Sequence, residues 1–332
     1  METRKVQLTG GSTFTVSLPK EWATENGVEA GSEVEFHHES NALVLTPRRE
    51  SGRTEGTLEI GDLEGDRLTR AVMTMYVSGF DIVTLEGDAI SADQRQAIRD
   101  AAQGLVGVEV IEETSDRVVV QDLLDSSELS VDNAVTRMRL IALGMLEDAI
   151  TGLLENDDDL AASVVDRDDD VDRLWFVVSR VFRATLRSPS ATEELGLPRE
   201  VCFDYHSSAR QLERIADHAA KIAKLAEQLG DIDDEVAAAL TELHDDAADV
   251  IDTAMDALLE EDSERSTTLA RDATDSILDI DQHARHIDEL LRERDAHEAQ
   301  LLGLVVDSLS RSADYGGNVA ETALQNAAPK PP

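Results

Sequence analysis

The sequence predicts a multidomain chain: a small β module at the front, an α/β connector behind it, and an all-α pair of three-helix bundles. Three observations predict it. Apolar residues alternate over residues 4–46, strand and helix rhythms mix over 55–122, and from Val131 onward apolar residues recur in steps of three and four. A chain of 332 residues also exceeds what one core sustains, since single cores stop growing near ~250 to 300 residues. Domains are expected at 1–50, 51–125 and 128–326, the last divided into repeats 128–230 and 231–326. The closing Ala327-Ala328-Pro329-Lys330-Pro331-Pro332 reads as a disordered tail.

In the front module, Val6 and Leu8, then Phe14, Val16 and Leu18, then Val34 and Phe36, then Leu43 and Leu45 mark four half-buried strands. Gly10-Gly11-Ser12, Gly27, Gly31 and Ser40-Asn41 punctuate them, and a short helix is expected between Pro19 and Gly27. A sheet this small exposes its apolar face, so it needs a partner, most simply a second copy of itself.

In the connector, strands are expected at Thr57–Ile60, Ile82–Leu85, Val106–Glu112 and Arg117–Gln121. Helices are expected over Asp66–Val77 and from Ser91, as cap, to Gly104. Helices covering one face of a small open sheet satisfy that order. Neither Gly87-Asp88 nor Gly104-Leu105-Val106-Gly107 has the glycines and lysine of a phosphate-cradling loop, so no nucleotide site is assigned.

In the helical part, Val135, Met138, Ala142, Met145, Ala149 and Gly152 form a bundle seam. Breaks at Glu155-Asn156-Asp157-Asp158, Ser188-Pro189-Ser190, Gly230-Asp231, Glu261-Asp262-Ser263 and 292–295 leave six long helices, three per repeat. Leu212-Glu213-Arg214-Ile215-Ala216-Asp217-His218 returns 97 residues later as Leu309-Ser310-Arg311-Ser312-Ala313-Asp314-Tyr315, which marks a duplication. The pair Gly316-Gly317 costs about 1 kcal/mol per glycine inside a helix, which argues for close helix approach there.

The formal charge of −40, with 25 arginines and five lysines, is self-repelling in dilute buffer and relieved by concentrated salt, where the screening length falls to ~3 Å at 1 M. A halophilic source is expected. A hydrophobic content of 41% with sustained periodicity argues against an acidic disordered chain. The single cysteine, Cys202, forms no intrachain disulfide and is expected to be a small buried helix residue. No apolar run approaches a signal or membrane span, so a soluble, cytoplasmic protein without membrane insertion is expected. No Ser/His/Asp or Cys/His arrangement is readable, and an enzyme is not expected.

Glu213 and Asp217 lie four apart and so share one helix face. By residue chemistry alone that pair is either a solvated face or half of a hard-cation site. The Leu212–Ala223 phrase resembles the signature helix of the PhoU family of phosphate-uptake regulators, in which each repeat carries a Glu/Asp-x-x-x-Asp metal motif. The resemblance implies that Glu213 and Asp217 bind metal. It also implies that Asp168 and Asp172, which with Asp169 resemble the companion motif, face them across the bundle. Oxygen ligands suit magnesium, manganese or iron, a divalent or trivalent ion, better than zinc. In the second repeat Ser310 replaces the glutamate, and Asp275, Asp279 and Asp281 have no unique alignment, so that site is expected to be weak or absent. His283 and His286 are expected on an exposed helix face.

The run from Val6 through Pro19-Lys20 to Gly27-Val28-Glu29-Ala30-Gly31 resembles the AbrB/SpoVT swapped-hairpin DNA-binding domain. That resemblance implies a homodimer of interleaved hairpins with DNA contacts from the first strand and the loops after it: Arg4, Lys5, Thr9, Ser12, Thr13, Thr15 and Lys20. Residues 1–50 carry a net charge of −3, leaving −37 for the rest, and hold Arg4, Lys5, Lys20, Arg48 and Arg49. Cation contacts to phosphate weaken steeply with salt, so hydroxyls and shape must contribute more. The two resemblances together imply a DNA-binding transcriptional regulator of phosphate uptake, whose bundle contacts a phosphate transporter ATPase or a signalling protein. The alternative is a non-DNA-binding adaptor that restrains such a partner.

Overall fold

The computed structural model describes residues 3–39, 42–48, 53–123 and 130–329. It divides into two compact units, one ending at Arg53 and the other beginning at Thr54.

The front unit contains two antiparallel hairpins with a short helix between them. Strands β1 (Gln7–Thr9) and β2 (Thr13–Thr15) pair with Leu8 opposite Phe14, and β3 (Val34–Glu39) and β4 (Ala42–Pro47) pair with Phe36 opposite Leu45. Gly10 and Gly11, at φ of 60° and 79°, make the first turn in a left-handed conformation that a side chain would oppose. Helix α1 (Lys20–Glu25) follows Pro19 as expected. Among the described residues this unit buries no apolar side chain, while Leu8, Phe14 and Val16 are 61%, 75% and 54% exposed.

The connector forms a four-stranded sheet in the order β5 (Glu55–Glu59), β6 (Ile82–Glu86), β8 (Arg117–Asp122), β7 (Val108–Glu113). β5 and β6 are parallel, joined by α2 (Gly65–Val77), and the other pairings are antiparallel. Helix α3 (Ala92–Gln103) starts on a Ser91–Gln94 capping box, worth about 1 kcal/mol, and ends at Gly104. Leu68, Val72 and Tyr76 of α2 and Ile98 and Ala101 of α3 pack with Val83, Leu85, Val118 and Val120 in a core separate from that of the bundle.

Behind it stand α4 (Val131–Glu155), α5 (Asp158–Arg187) and α7 (Arg199–Ala226), then α8 (Asp234–Leu259), α9 (Ser263–Leu291) and α10 (Ala296–Ala327). Within each trio every helix packs on the other two, and the trios meet through α4 with α8 and α7 with α10. Side chains of Ser130, Asp157, Asp233, Asp262 and Asp295 cap five of the helices. The expected seam on α4 is fully buried. A seven-residue helix, α6 (Pro189–Leu195), occupies what the sequence predicts as a bare break, because proline at its first position is pre-organised for a helical turn. Helix α10 includes Ala327, at which the tail is predicted to start. The predicted boundary near 125–128 and residues 330–332 lie outside the described residues.

Gly316 and Gly317 confirm the close approach expected of them. A Cβ on Gly316 would lie 3.1 Å from the Ile251 Cα of α8, and one on Gly317 would lie 2.4 Å from the Ile277 Cδ1 of α9. Among the described residues no helix is long and apolar enough to cross a membrane.

Candidate functional sites

The β1–β2 hairpin has two chemically distinct faces. Directly opposed residues of an antiparallel pair project to the same side, so Gln7, Thr9, Thr13 and Thr15 share one face and Leu8 and Phe14 the other. The Oγ1 atoms of Thr9 and Thr15 are 3.1 Å apart, and the Thr15 hydroxyl also donates to the Gln7 carbonyl. Ser12 lies in the turn, Arg4 and Lys5 lead into β1, and Lys20 opens α1, all exposed. Arg48 is paired by its own hairpin, 2.5 Å from Glu33 and 3.8 Å from Glu35. Arg49 is outside the described residues.

The four acids singled out on the bundle occupy the packed pair α5 and α7. Burial, then the charges of Asp168, Asp217 and Asp169, push the Asp172 carboxyl up to about 6. Burial pushes Glu213 up to about 7; Arg210 opposes that shift, and Asp217 and Asp172 add to it. Asp168 is raised by burial and by Asp217. Glu213 is only 8% exposed: Arg210 holds its Oε1 at 2.5 Å, and its buried Oε2 has no hydrogen-bond partner. These are carboxylates in one another's field, each favouring its neighbour's proton, and hard oxygen donors of this kind suit a hard cation. Among the described residues, however, no three His, Cys, Asp or Glu side chains converge closely enough to hold one. The near charge compensating Glu213 is Arg210, a role that sequence reasoning misses although its i,i+3 spacing exposes it.

In the second repeat Ser310 stands at the Glu213 position, and Asp275, Asp279 and Asp281 are exposed. His283 departs from its expected exposed face. It is half-buried, with Nδ1 2.5 Å from Asp246 and Nε2 3.7 Å from Glu242 of α8, because the acidic face of that helix draws it inward; His286 remains exposed. Cys202 is buried on α7, as expected.

The connector, for which the sequence offers no chemistry, is tied to the bundle by Arg180 of α5. Its guanidinium donates to the carbonyls of Tyr76 at 2.6 Å and Phe80 at 3.0 Å and to Asp81 at 2.5 Å, and lies 3.2 Å from Asp122. It also covers the Tyr76 ring at 4.7 Å. The one signal in the sequence is a lone arginine inside the apolar stretch Val177-Val178-Ser179-Arg180-Val181.

Together these features define a protein with a small β-hairpin module in front of a duplicated three-helix bundle. Residues 135–226 match the family model of the PhoU domain, and residues 7–53 match that of the antidote-toxin recognition MazE, bacterial antitoxin. The chain thus carries a PhoU domain behind a MazE/AbrB-like module. PhoU from Pseudomonas aeruginosa is similar in fold, with a TM-score of 0.52 at 21% identity over 60% of this chain and 96% of that one. The phosphate transport system regulatory protein PhoU from Streptococcus pneumoniae gives 0.48 at 18% identity over 58% of this chain and 91% of that one. No curated protein matches the chain by sequence.

Proposed function

We propose that this chain is a cytoplasmic transcriptional regulator of phosphate uptake and homeostasis that binds DNA as a homodimer through its front hairpins. The observation that carries the reading is the two-faced hairpin. Among the described residues its apolar face, Leu8 and Phe14, is exposed, and its hydroxyl face, beside Arg4, Lys5 and Lys20, offers small polar groups to phosphates and base edges. A second copy interleaving on the apolar side supplies the missing core and leaves the hydroxyl side outward. The bundle is the sensing part. Glu213, Asp217, Asp168 and Asp172 do not converge on one point as they stand, so holding a magnesium, manganese or iron ion would require α5 and α7 to draw them together, and the state of the bundle preferred by ion or partner would then shift operator affinity.

One observation favours a second reading, an adaptor that restrains a transporter ATPase or signalling protein without touching DNA. Arg48 is neutralised by Glu33 and Glu35, which thins the cations available for phosphate. Mobility shift in molar potassium chloride separates the two. The regulator discriminates a phosphate-transporter promoter from random DNA, and replacing Phe14 by Asp gives a monomer that no longer does so. Equal weak binding to both DNAs supports the adaptor.

A further inference from the structure

Gln7, Thr9, Thr13 and Thr15 share one exposed face of the β1–β2 hairpin, yet these four side chains are not equivalent. The Thr15 hydroxyl donates to the Gln7 carbonyl at 3.4 Å, and a hydroxyl has a single proton to give. The 3.1 Å contact between the Oγ1 atoms of Thr9 and Thr15 is then a donation from Thr9 to Thr15. Both protons are spent inside the hairpin, along a chain that runs from Thr9 through Thr15 to the Gln7 carbonyl. What these two threonines turn outward is lone pairs and methyl groups.

Gln7 is different. Its side-chain amide is exposed on the same face and offers two N–H donors and one carbonyl in a flat fork. It is the one side chain of the four that can donate and accept at once through two separate atoms. Of the single bases seen from the major groove, adenine alone presents an acceptor, N7, beside a donor, the N6 amino group, and a glutamine fork matches that pair. Guanine presents two acceptors there, which call for arginine or lysine. A two-stranded ribbon fits the major groove, and the threonine methyls beside Gln7 suit the C5 methyl of thymine. Position along the ribbon favours a base over a phosphate. Lys5 precedes Gln7 by two residues and Ser12 stands in the turn at the far end, so groups suited to phosphate lie on either side of it.

We infer that Gln7 is the specificity-determining residue of the front hairpin, its amide pairing with the N6 amino group and N7 of an adenine in the major groove. The inference rests on the DNA reading above and adds to it which residue reads sequence and which base it reads. Gln7 is uncharged, so its contact releases no counterions and keeps its strength in concentrated salt, where cation contacts fade. Because a homodimer carries two copies of Gln7, the adenine recurs once in each half-site.

The test uses the full chain in molar potassium chloride and a pool of random-sequence duplexes, from which the preferred site is selected. Replacing one A·T pair of that site with G·C, or its adenine with 7-deazaadenine, which lacks the N7 acceptor, should each weaken binding at least ~5-fold. Gln7→Ala should lose that discrimination and bind all three duplexes alike, with its melting temperature and the slope of affinity against salt unchanged. Equal affinity of the parent for adenine and 7-deazaadenine at every A·T pair of the site would overturn the inference, whether or not the variant folds. So would a Gln7→Ala chain that keeps the full sequence preference, or one that weakens on all duplexes by the same factor, which marks a phosphate contact. In those outcomes the DNA reading survives. Selection of no site by the parent sinks the DNA reading itself, and the inference with it.

Discussion

His218 and Tyr315 occupy equivalent positions of the two repeats, 97 residues apart, and their ring centroids lie 5.7 Å apart where α7 crosses α10. The contacts around them run antiparallel: Arg214 covers the Tyr315 ring at 5.5 Å, Gln211 accepts from Asn318 at 3.3 Å, and Lys221 lies 3.9 Å from Asp307. The duplicated helices therefore meet about a pseudo-twofold axis, each presenting the same face to the other. The two repeats have diverged at that axis, since Ala219 and Ala220 of the first correspond to Gly316 and Gly317 of the second.

That divergence predicts unequal costs. Gly316→Ala brings a methyl against the Ile251 backbone, which cannot shift without moving α8, and should destabilise by about 1–3 kcal/mol despite the helix-propensity gain. Gly317→Ala meets only the terminal Cδ1 of Ile277, which can rotate away, and should change stability by less than about 1 kcal/mol. Urea denaturation of both variants tests the contrast. Equal losses would mean that α9 is as unyielding as α8.

Arg180→Met should weaken the connector's attachment. It leaves the buried Asp122 without its guanidinium partner and two carbonyls without a donor, a loss on the order of 3 kcal/mol. Lysine should not restore it, since one ammonium cannot serve the forked set of acceptors. Hydrogen exchange at residues 76–82 is expected to quicken in both variants, while α8 stays protected.

The raised carboxyls predict the sign of a pH effect. Asp172, at about 6, and Glu213, at about 7, both lie above their ordinary values of 3.8 and 4.5. Each contributes stability that is fully present below its ordinary value and lost as pH rises through its folded value, so the window runs from about pH 4 to pH 7. Glu213→Gln and Asp172→Asn should each raise stability at pH 8 by on the order of 1 kcal/mol and leave it unchanged at pH 4. Because the whole acidic chain also titrates, the measured quantity is the difference between variant and parent melting temperatures at each pH.

Net charge predicts the response to salt. With −40 spread along the chain, the melting temperature should rise steadily between dilute and molar potassium chloride as repulsion is screened. An equimolar neutral osmolyte should not reproduce the rise. A flat response to salt would remove the halophilic reading.

Much of the architecture was legible because it rests on local periodicity. The seam of α4, the Ser91 cap, the interhelix breaks and the glycine pair each depend on residues within a few positions of one another. The short helix α6 escaped because its seven residues span too few turns to show a period. The pairing of Asp168 and Asp172 with Glu213 and Asp217 was readable only through a family resemblance, since nothing local links residues so far apart. His283 was misplaced for the same reason: its neighbours, Glu242 and Asp246, belong to another helix.

By itself the sequence determined the order of the modules, the duplication, and the need of the front hairpins for something to cover Leu8 and Phe14, because alternation and repeat spacing are properties of the chain read in line. Only the tertiary structure decided that Arg210 closes on Glu213, that Arg180 fastens the connector, and that Trp175, Phe182, Phe203 and His206 form one ladder. The guanidinium partners and ring neighbours are chosen by which helix faces pack together, and packing is settled by burial of both faces at once rather than by either helix alone.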